Sequence, residues 1–276
     1  MRFPPFVHTC PPLFVHHMCS FPPNKSLAFL PPVKILMTHL SSIPPTPLSS
    51  PVVSRILDGA PLLESFGNAK TLRNDNSSRF GKYTQLQFRH THNGQCEGLK
   101  GSLCDVYLLE KSRVCGANEG ERVYHIFYQL LAAPAAVKAS IWPELENKTG
   151  ADFAYVGPNQ LDAIIEGESD ATKWTRTRAA LDTLSIPPAT ITHLLQGIVV
   201  CLQFGNITFE ATDKTTDDGS TVTSGNELEL LADLLQVDAT QLKEKFTFRT
   251  MKARSDEYKV RRHNNNVLSL ATRLGV

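Results

Sequence analysis

Asn68 to Lys82 reads NAKTLRNDNSSRFGK, and this polar stretch decides how the rest of the chain is interpreted. It combines amides, hydroxyls and guanidinium groups with few apolar residues. Such groups suit a phosphate and its metal ion, because amides and hydroxyls donate to phosphate oxygens, a serine hydroxyl ligates Mg²⁺ and arginine pairs with anions. A hydrophilic surface loop rich in turn-forming residues has the same composition. Composition alone leaves both interpretations open.

The order of residues in this stretch resembles switch I of the myosin motor domain, where N-A-K-T-x-x-N-x-N-S-S-R-F-G-K is close to a family signature. Kinesins share a shorter N-x-x-S-S-R core but usually continue with Ser-His, whereas this chain continues with Phe80-Gly81-Lys82. The runs PLLESFG (61–67), YLLEKSRV (107–114) and YHIFYQLL (124–131) are similar to the family as well. In all, Val33 to Tyr258 can be aligned with a myosin motor domain.

This resemblance implies a mixed α and β fold that is predominantly helical and forms part of the P-loop NTPase-type myosin head. We expect a Pro-rich, disordered leader over 1–32 and a divergent tail over 261–276, both unlike the family. Between them, residues 33–260 would form a partial motor domain with the post-P-loop helix, switch I and the upper 50-kilodalton subdomain. Because proline lacks a backbone donor and fixes its own φ, the leader should contain neither a helix nor a central strand.

Hydrophobic periodicity predicts the elements of this partial domain. Alternation over 83–88 and 104–109, with glycines between them, predicts an antiparallel β-hairpin after switch I. Helical spacing of apolar residues predicts helices at residues 33–43, 121–133, 172–184, 189–204 and 226–235, and a further helix through Leu242 and Phe246. Ser224 with Glu227, and Asp238 with Gln241, have the spacing of capping boxes at two of these helices.

By resemblance, four residues of the polar stretch have defined roles. Asn74 matches the asparagine that contacts the nucleotide phosphates, and Ser78 matches the serine that ligates Mg²⁺. Two further matches are catalytic: Ser77 with the serine that positions the attacking water near the γ-phosphate, and Arg79 with the arginine that pairs with a switch II glutamate. The implied cofactors are ATP and Mg²⁺. Lesser, supporting contacts fall to Asn68, Lys70 and Asn76.

Two motifs that complete the family's nucleotide site do not occur in this sequence. Residues 26–32, where the loop G-x-x-x-x-G-K-[ST] is expected, read SLAFLPP, and the D-x-x-G-F-E segment of switch II is missing. We therefore expect the chain alone to be inactive, and hypothesise a truncated or misassembled product of a gene for an actin-based, ATP-driven motor. A non-catalytic myosin-like fragment that binds actin or another protein without ATP hydrolysis is the alternative.

The run RTMKARSDEY at residues 249–258 corresponds to the start of the family's actin-binding loop in the upper subdomain. Lys252, Arg254 and Lys259 give it positive charge, and the implied partner is the actin filament. A solvated, charged hairpin without a partner is the other interpretation of this run.

Bulk properties place few constraints on function. The 276 residues carry a net charge of +1, which argues for neither nucleic acid nor an acidic partner. The six cysteines form no CxxC pair, which is typical of reduced thiols in a cytosolic protein. The cluster of His8, Cys10, His16, His17 and Cys19 matches no zinc-finger spacing. We find no apolar run of about 20 residues that would span a bilayer, so we expect a cytoplasmic protein. The resemblance implies that it is associated with the cytoskeleton in a myosin complex.

Overall fold

The computed structural model describes residues 13–17, 51–90, 93, 96–157, 161, 163–211, 219–253 and 256–261. The predicted helix over 33–43, the rest of the leader with most of its His and Cys residues, and the tail beyond residue 261 lie outside the described residues. The chain divides into two compact units. One contains Met1–Asn68, Ser77–Leu109 and Thr175–Ile186, and the other contains Ala69–Asn76, Glu110–Trp174 and Pro187–Val276.

The first unit pairs a long helix with an antiparallel sheet. Its elements are β1 (Leu13–His17), α1 (Pro51–Gly67), β2 (Asn68–Ala69, shared with the second unit), β3 (Ser77–Ser78), β4 (Gly81–His90) and β5 (Cys96–Tyr107). Strands β4 and β5 pair antiparallel from Gly81↔Tyr107 to His90↔Cys96, with register shifts at Gln87/Phe88 and Arg89/His90. Strand β4 therefore extends beyond the predicted 83–88 at both ends, whereas β5 begins eight residues before the predicted 104–109 and ends two residues earlier, at Tyr107.

Strand β1 differs from the disordered leader that the prolines suggested. Leu13–His17 pairs antiparallel with β4, from Leu13↔Leu86 to His17↔Lys82. The sheet order is β1-β4-β5, so β1 is an edge strand. These five residues contain no proline, and an edge strand needs backbone partners on one side only, which is the position that a Pro-rich segment tolerates.

The core of the first unit lies between α1 and the sheet. Leu86 and Leu99 are buried there, and partly buried apolar residues pack against them, namely Val52, Ile56, Leu57 and Phe88. Val52 and Ile56 are four residues apart and so share one face of α1. This packing holds the N-terminal half of α1 against the sheet, and the polar stretch begins where α1 ends, at Gly67.

The second unit is mainly helical. Its helices are α2 (His125–Leu131), α3 (Ala135–Ile141), α4 (Asp170–Thr183, which runs into the first unit), α5 (Pro188–Gly205), α6 (Gly225–Leu235) and α7 (Ala239–Thr247). Two antiparallel strand pairs complete it, β6 (Phe209–Ala211) with β7 (Ser220–Val222), and β8 (Phe248–Ala253) with β9 (Asp256–Arg261).

The helix predicted over 121–133 is wrong at its start, because α2 begins only at His125. The residues before it form no helix: Arg122 N–H donates to the Lys70 carbonyl (3.0 Å), and Tyr124 forms an isolated bridge with Ala69. Backbone pairing with the polar stretch thus replaces the first helical turn.

A buried cluster under α5, α6 and α7 forms a core of the second unit. It contains Phe204, Ile207, Leu228, Leu231 and Phe246. The Phe246 ring meets those of Phe204 and Phe209 edge-on, at centroid distances of 5.9 and 5.8 Å. Helix α5 is long and apolar enough to cross a membrane by length and composition. A helix whose apolar face packs into a protein core has the same length and composition, and α5 contributes Phe204 to this core.

One predicted cap is confirmed and one is wrong. Asp238 accepts a hydrogen bond from Gln241 N–H (2.8 Å) at the start of α7. Ser224 stands at the start of α6 but makes no side-chain cap. Its hydroxyl accepts from Thr208 N–H (2.8 Å), and Glu227 accepts from Gln203 (2.6 Å). Partners distant in sequence outcompete the local box.

Candidate functional site

The part of the polar stretch that lies in the second unit is a tight turn. Thr71 N–H donates to the Asn74 carbonyl (2.8 Å), and Asn74 N–H donates back to the Thr71 hydroxyl (3.1 Å). Asn76 N–H then donates to Oδ1 of Asn74 (2.9 Å). Side-chain oxygens thereby replace the backbone partners of a regular element, as in Asx turns. Asn74 itself is exposed.

This turn is fixed to residues 120–122. Lys70 accepts from Arg122 N–H through its carbonyl, and its ammonium donates to the Gly120 carbonyl (3.1 Å) and lies 3.7 Å from Asp75. Leu72 N–H donates to Oε1 of Glu121 (3.3 Å). The supporting role that the sequence assigned to Lys70 is here a contact with protein groups.

Glu121 is the charged centre of this support. Its Oε2 accepts from Arg113 (3.3 Å) and from Asn118 (3.2 Å). Burial disfavours its charged form, but the hydrogen bonds from Leu72 N–H and Arg113 outweigh burial, so the pKa of Glu121 lies below its usual value. Glu110 also pairs with Arg113, at 3.1 Å. Glu121 is therefore ionised at neutral pH, and its carboxylate holds the turn through the Leu72 N–H.

A second carboxylate contacts the far end of the turn. Oε2 of Glu166 accepts from the Asn76 amide at 2.9 Å and lies 3.3 Å from the Lys173 ammonium. Neither Glu121 nor Glu166 was singled out from the sequence, because each is an ordinary charged residue in a polar segment. Nothing in local spacing links residue 76 to residue 166.

The part of the polar stretch in the first unit carries the two serines. Ser78 donates from its hydroxyl to the Phe80 carbonyl (3.0 Å), and Arg79 donates to the Ser77 hydroxyl (3.4 Å). Arg79 N–H donates to the Gly67 carbonyl (2.8 Å). A Cβ at Gly67 would overlap the Phe80 ring, so only glycine allows this close return of the chain.

These groups have the chemistry that a phosphate with Mg²⁺ requires. A serine hydroxyl that donates its hydrogen to a carbonyl keeps its lone pairs for a metal, and Ser78 is exposed. Mg²⁺ usually takes only one or two protein ligands and completes its shell with water and phosphate. Among the described residues, no three His, Cys, Asp or Glu side chains lie together as a metal site. Asn68 fits less well, because only 7% of it is exposed.

A buried polar cluster lies directly behind the turn. Arg122 is fully buried, binds Asp170 at 2.6 Å and places its guanidinium 3.5 Å from the centre of the Tyr128 ring. His125 is buried beside it. Burial, together with the charges of Arg122 and Lys173, lowers the pKa of His125 to about 3. The sequence did not predict this polar cluster, because the run RVYHIFYQ was used only for its apolar spacing and its similarity to the family.

Two of the three proposed actin-contacting residues lie on the last two strands. Lys252 is in β8 and Lys259 is in β9, which pair antiparallel with Lys252↔Glu257 and Thr250↔Lys259 in register. Arg254 lies outside the described residues. The antiparallel pairing of β8 with β9 is compatible with both interpretations of this run.

The structure defines a class of protein that is mainly helical. In this class a polar loop, which starts at a glycine, connects a long helix to a pair of antiparallel strands. A family model described as myosin head (motor domain) matches residues 32–273. The matched range continues into the tail that sequence analysis set apart. The chain belongs to the myosin motor-domain family.

Individual relatives agree with the family match. The chain is 37% identical over 229 residues to unconventional myosin-Ic-A of Xenopus laevis, covering 81% of this chain and 21% of that protein. It is 36% identical over 224 residues to myosin-VIIa of Drosophila melanogaster (81% and 10%), and 35% identical over 219 residues to myosin IB heavy chain of Dictyostelium discoideum (79% and 19%). It therefore spans about a fifth or less of the length of these relatives.

Proposed function

We propose that this chain is part of an actin-based, ATP-driven cytoskeletal motor, located in the cytoplasm with the cytoskeleton, and that Asn68–Lys82 is its switch I. The family match over residues 32–273 carries this proposal. In it, Asn74 contacts the phosphates and Ser78 ligates Mg²⁺. Ser77 positions the attacking water, and Arg79 pairs with a switch II carboxylate. When bound, Mg·ATP would supply the phosphoryl group whose hydrolysis drives the motor.

The local contacts support these roles. Asn74 and Ser78 are exposed, as groups that meet a ligand must be. The Arg79 guanidinium donates to the Ser77 hydroxyl, and the Arg79 N–H donates to the Gly67 carbonyl. These two contacts hold the guanidinium near Ser77. In the proposed role, the guanidinium would exchange this hydroxyl for the switch II carboxylate. Phosphoryl transfer depends on such positioning and on charge neutralisation more than on covalent chemistry.

We propose further that the 276-residue chain alone does not hydrolyse ATP. Its sequence contains no G-x-x-x-x-G-K-[ST] motif, whose backbone donors, lysine and hydroxyl form much of a phosphate and Mg²⁺ site. That observation favours a second candidate function, a non-catalytic fragment that binds actin without hydrolysis. Lys252, Arg254 and Lys259 would then provide the electrostatic contact with an acidic filament surface.

Two assays on the purified chain test these proposals. In isothermal titration calorimetry, Mg·ATP at up to about 1 mM should give no saturable heat, because a lone switch I leaves most phosphate contacts unmade. Saturable binding that Ser78→Ala abolishes would contradict the expected absence of nucleotide binding and support the switch I role. Saturable binding that Ser78→Ala leaves unchanged would contradict both.

The second assay is co-sedimentation with actin filaments. The chain should enter the pellet at low salt and leave it as salt rises. Lys252→Glu with Lys259→Glu should abolish this binding, whereas Lys243→Glu with Lys245→Glu, on α7 outside the β8–β9 hairpin, controls for charge alone. A pelleted fraction equal to that of a filament-free control would contradict the actin partner.

A further inference from the structure

Glu166 has a backbone conformation that its residue type disfavours. Glu166 and Gly167 have φ of +54° and +82°, and Ile165 and Glu168 on either side exchange backbone hydrogen bonds of 3.0 and 3.1 Å. Two consecutive residues with positive φ form a type I′-like turn, in which Asn, Asp or Gly is favoured at the first position. A residue with a longer side chain is strained there, and such strain points to a use for the side chain.

The Glu166 carboxylate has a defined use in the structure. One oxygen, Oε2, receives both the Asn76 amide at 2.9 Å and the Lys173 ammonium at 3.3 Å. A carboxylate only accepts hydrogen bonds, so the nitrogen of the Asn76 amide must face it. Lys173 is the less exposed partner, at 14% against 57% for Glu166, and it lies in the first turn of α4. A helical residue thus holds the carboxylate toward Asn76.

The Lys70 end of the loop is also connected to the first helical turn of α4. Arg122 donates from its backbone to the Lys70 carbonyl and from its side chain to Asp170, the first residue of α4. Lys70 and Asn76 therefore each reach the start of α4 through one intermediate residue. The Asn76 connection is the exposed one, and it runs through Glu166.

We propose that Glu166 is a positioning residue of the phosphate-contacting loop, which fixes the loop's tip by holding the Asn76 amide. The proposal rests on the role of Asn68–Lys82 as switch I. Glu166 contacts no reacting group in this role. It limits the conformations that residues 72–78 adopt, so that Asn74 and Asn76 are ordered before a ligand arrives.

Amide hydrogen exchange of the full chain, followed by mass spectrometry, tests this proposal through peptides covering residues 72–78. Glu166→Asn suits the positive φ of the turn but is too short to reach Asn76. It should accelerate exchange in these peptides about two- to fivefold, the range expected for one exposed charge-assisted contact. Glu166→Gln keeps a neutral acceptor at the same reach and should restore at least half of the lost protection.

Peptides from helix α5 serve as the internal control for folding, and Glu144→Asn, an exposed glutamate in the helical turn Pro143–Leu145, is the matched control variant. Unchanged exchange of residues 72–78 in Glu166→Asn would overturn the proposal, as would a Glu166→Gln variant no better protected than Glu166→Asn. If Glu166 served only the turn, Glu166→Asn would relieve strain and slow exchange. Exchange is measured without nucleotide, so the outcome is independent of the Mg·ATP titration and the two proposals can fail separately.

Discussion

Removing the Arg122 side chain should destabilise the second unit more than any surface change near the loop. Arg122→Met is the informative substitution, because methionine fills a similar length without a charge. Asp170 is only 7% exposed and binds Arg122 at 2.6 Å, so the substitution leaves a buried carboxylate without its cation. Replacing one member of a buried ion pair typically costs about 3–5 kcal/mol.

Two further effects oppose each other. The guanidinium lies 3.5 Å from the centre of the Tyr128 ring, and loss of a desolvated cation–π contact costs about 2 kcal/mol. Against this, Nε and Nη1 of Arg122 are buried and have no hydrogen-bond partner among the described residues. Removing these two unsatisfied groups stabilises the folded state by an amount similar to the loss of the cation–π contact. The net expectation therefore stays at about 3–5 kcal/mol.

Urea denaturation followed by tryptophan fluorescence measures this loss. Both tryptophans, Trp142 and Trp174, are buried in the second unit, so their emission reports its unfolding. With a slope of about 2 kcal/mol per molar urea, the midpoint should fall by about 1.5–2.5 M. A double-mutant cycle with Asp170→Asn should show a coupling of at least about 2 kcal/mol, because the double variant leaves no unpaired charge.

The reasoning fails if Arg122→Met costs less than about 1 kcal/mol, or if the two single effects simply add in the double variant. Arg249→Met is the matched control. Arg249 is exposed and lies on β8 in the second unit. Replacing an exposed residue away from a buried network usually changes stability by at most about 0.5 kcal/mol.

Two other outcomes follow from the same cluster. Tyr128→Phe keeps the ring beneath Arg122 and should lower the free energy of unfolding by less than about 1.5 kcal/mol in urea denaturation. Tyr128→Leu removes the ring and should lower it by about 3 kcal/mol. Equal losses in the two variants would exclude a contribution from the ring face. Burial and the nearby cations lower the pKa of His125 to about 3. As the pH falls, His125 is therefore protonated in the unfolded chain before it is protonated in the folded chain. The free energy of unfolding is highest above about pH 6.5 and decreases below it. Between pH 6.5 and pH 5 the loss should be about 1.5 kcal/mol, and a His125→Leu variant with the same pH dependence as the natural chain would show that another group is responsible.

Sequence reasoning succeeded where local order decides structure. Helix α5 was expected over 189–204 and occurs at Pro188–Gly205, because its apolar face repeats with helical period over four turns. The Asp238 cap was found for the same reason, since its partner is three residues away. It failed where distant groups compete with local ones: Arg122 and Tyr124 pair with the loop and leave α2 without its first turn, and Ser224 turns to Thr208.

The sequence by itself determined the family, because N-x-N-S-S-R-F-G-K is an ordered set of chemical groups that needs no coordinates to be recognised, and the same order is the basis on which we propose the residues that would meet a phosphate. Only the tertiary structure decided what holds those groups in place. Glu121 and Glu166 lie 49 and 90 residues from the loop atoms they accept from, and the buried Arg122–Asp170 pair closes a separation of 48 residues. Hydrogen bonds and ion pairs act over a few ångströms in space, so contacts between such distant positions follow from the folded chain and leave no periodic trace in the sequence.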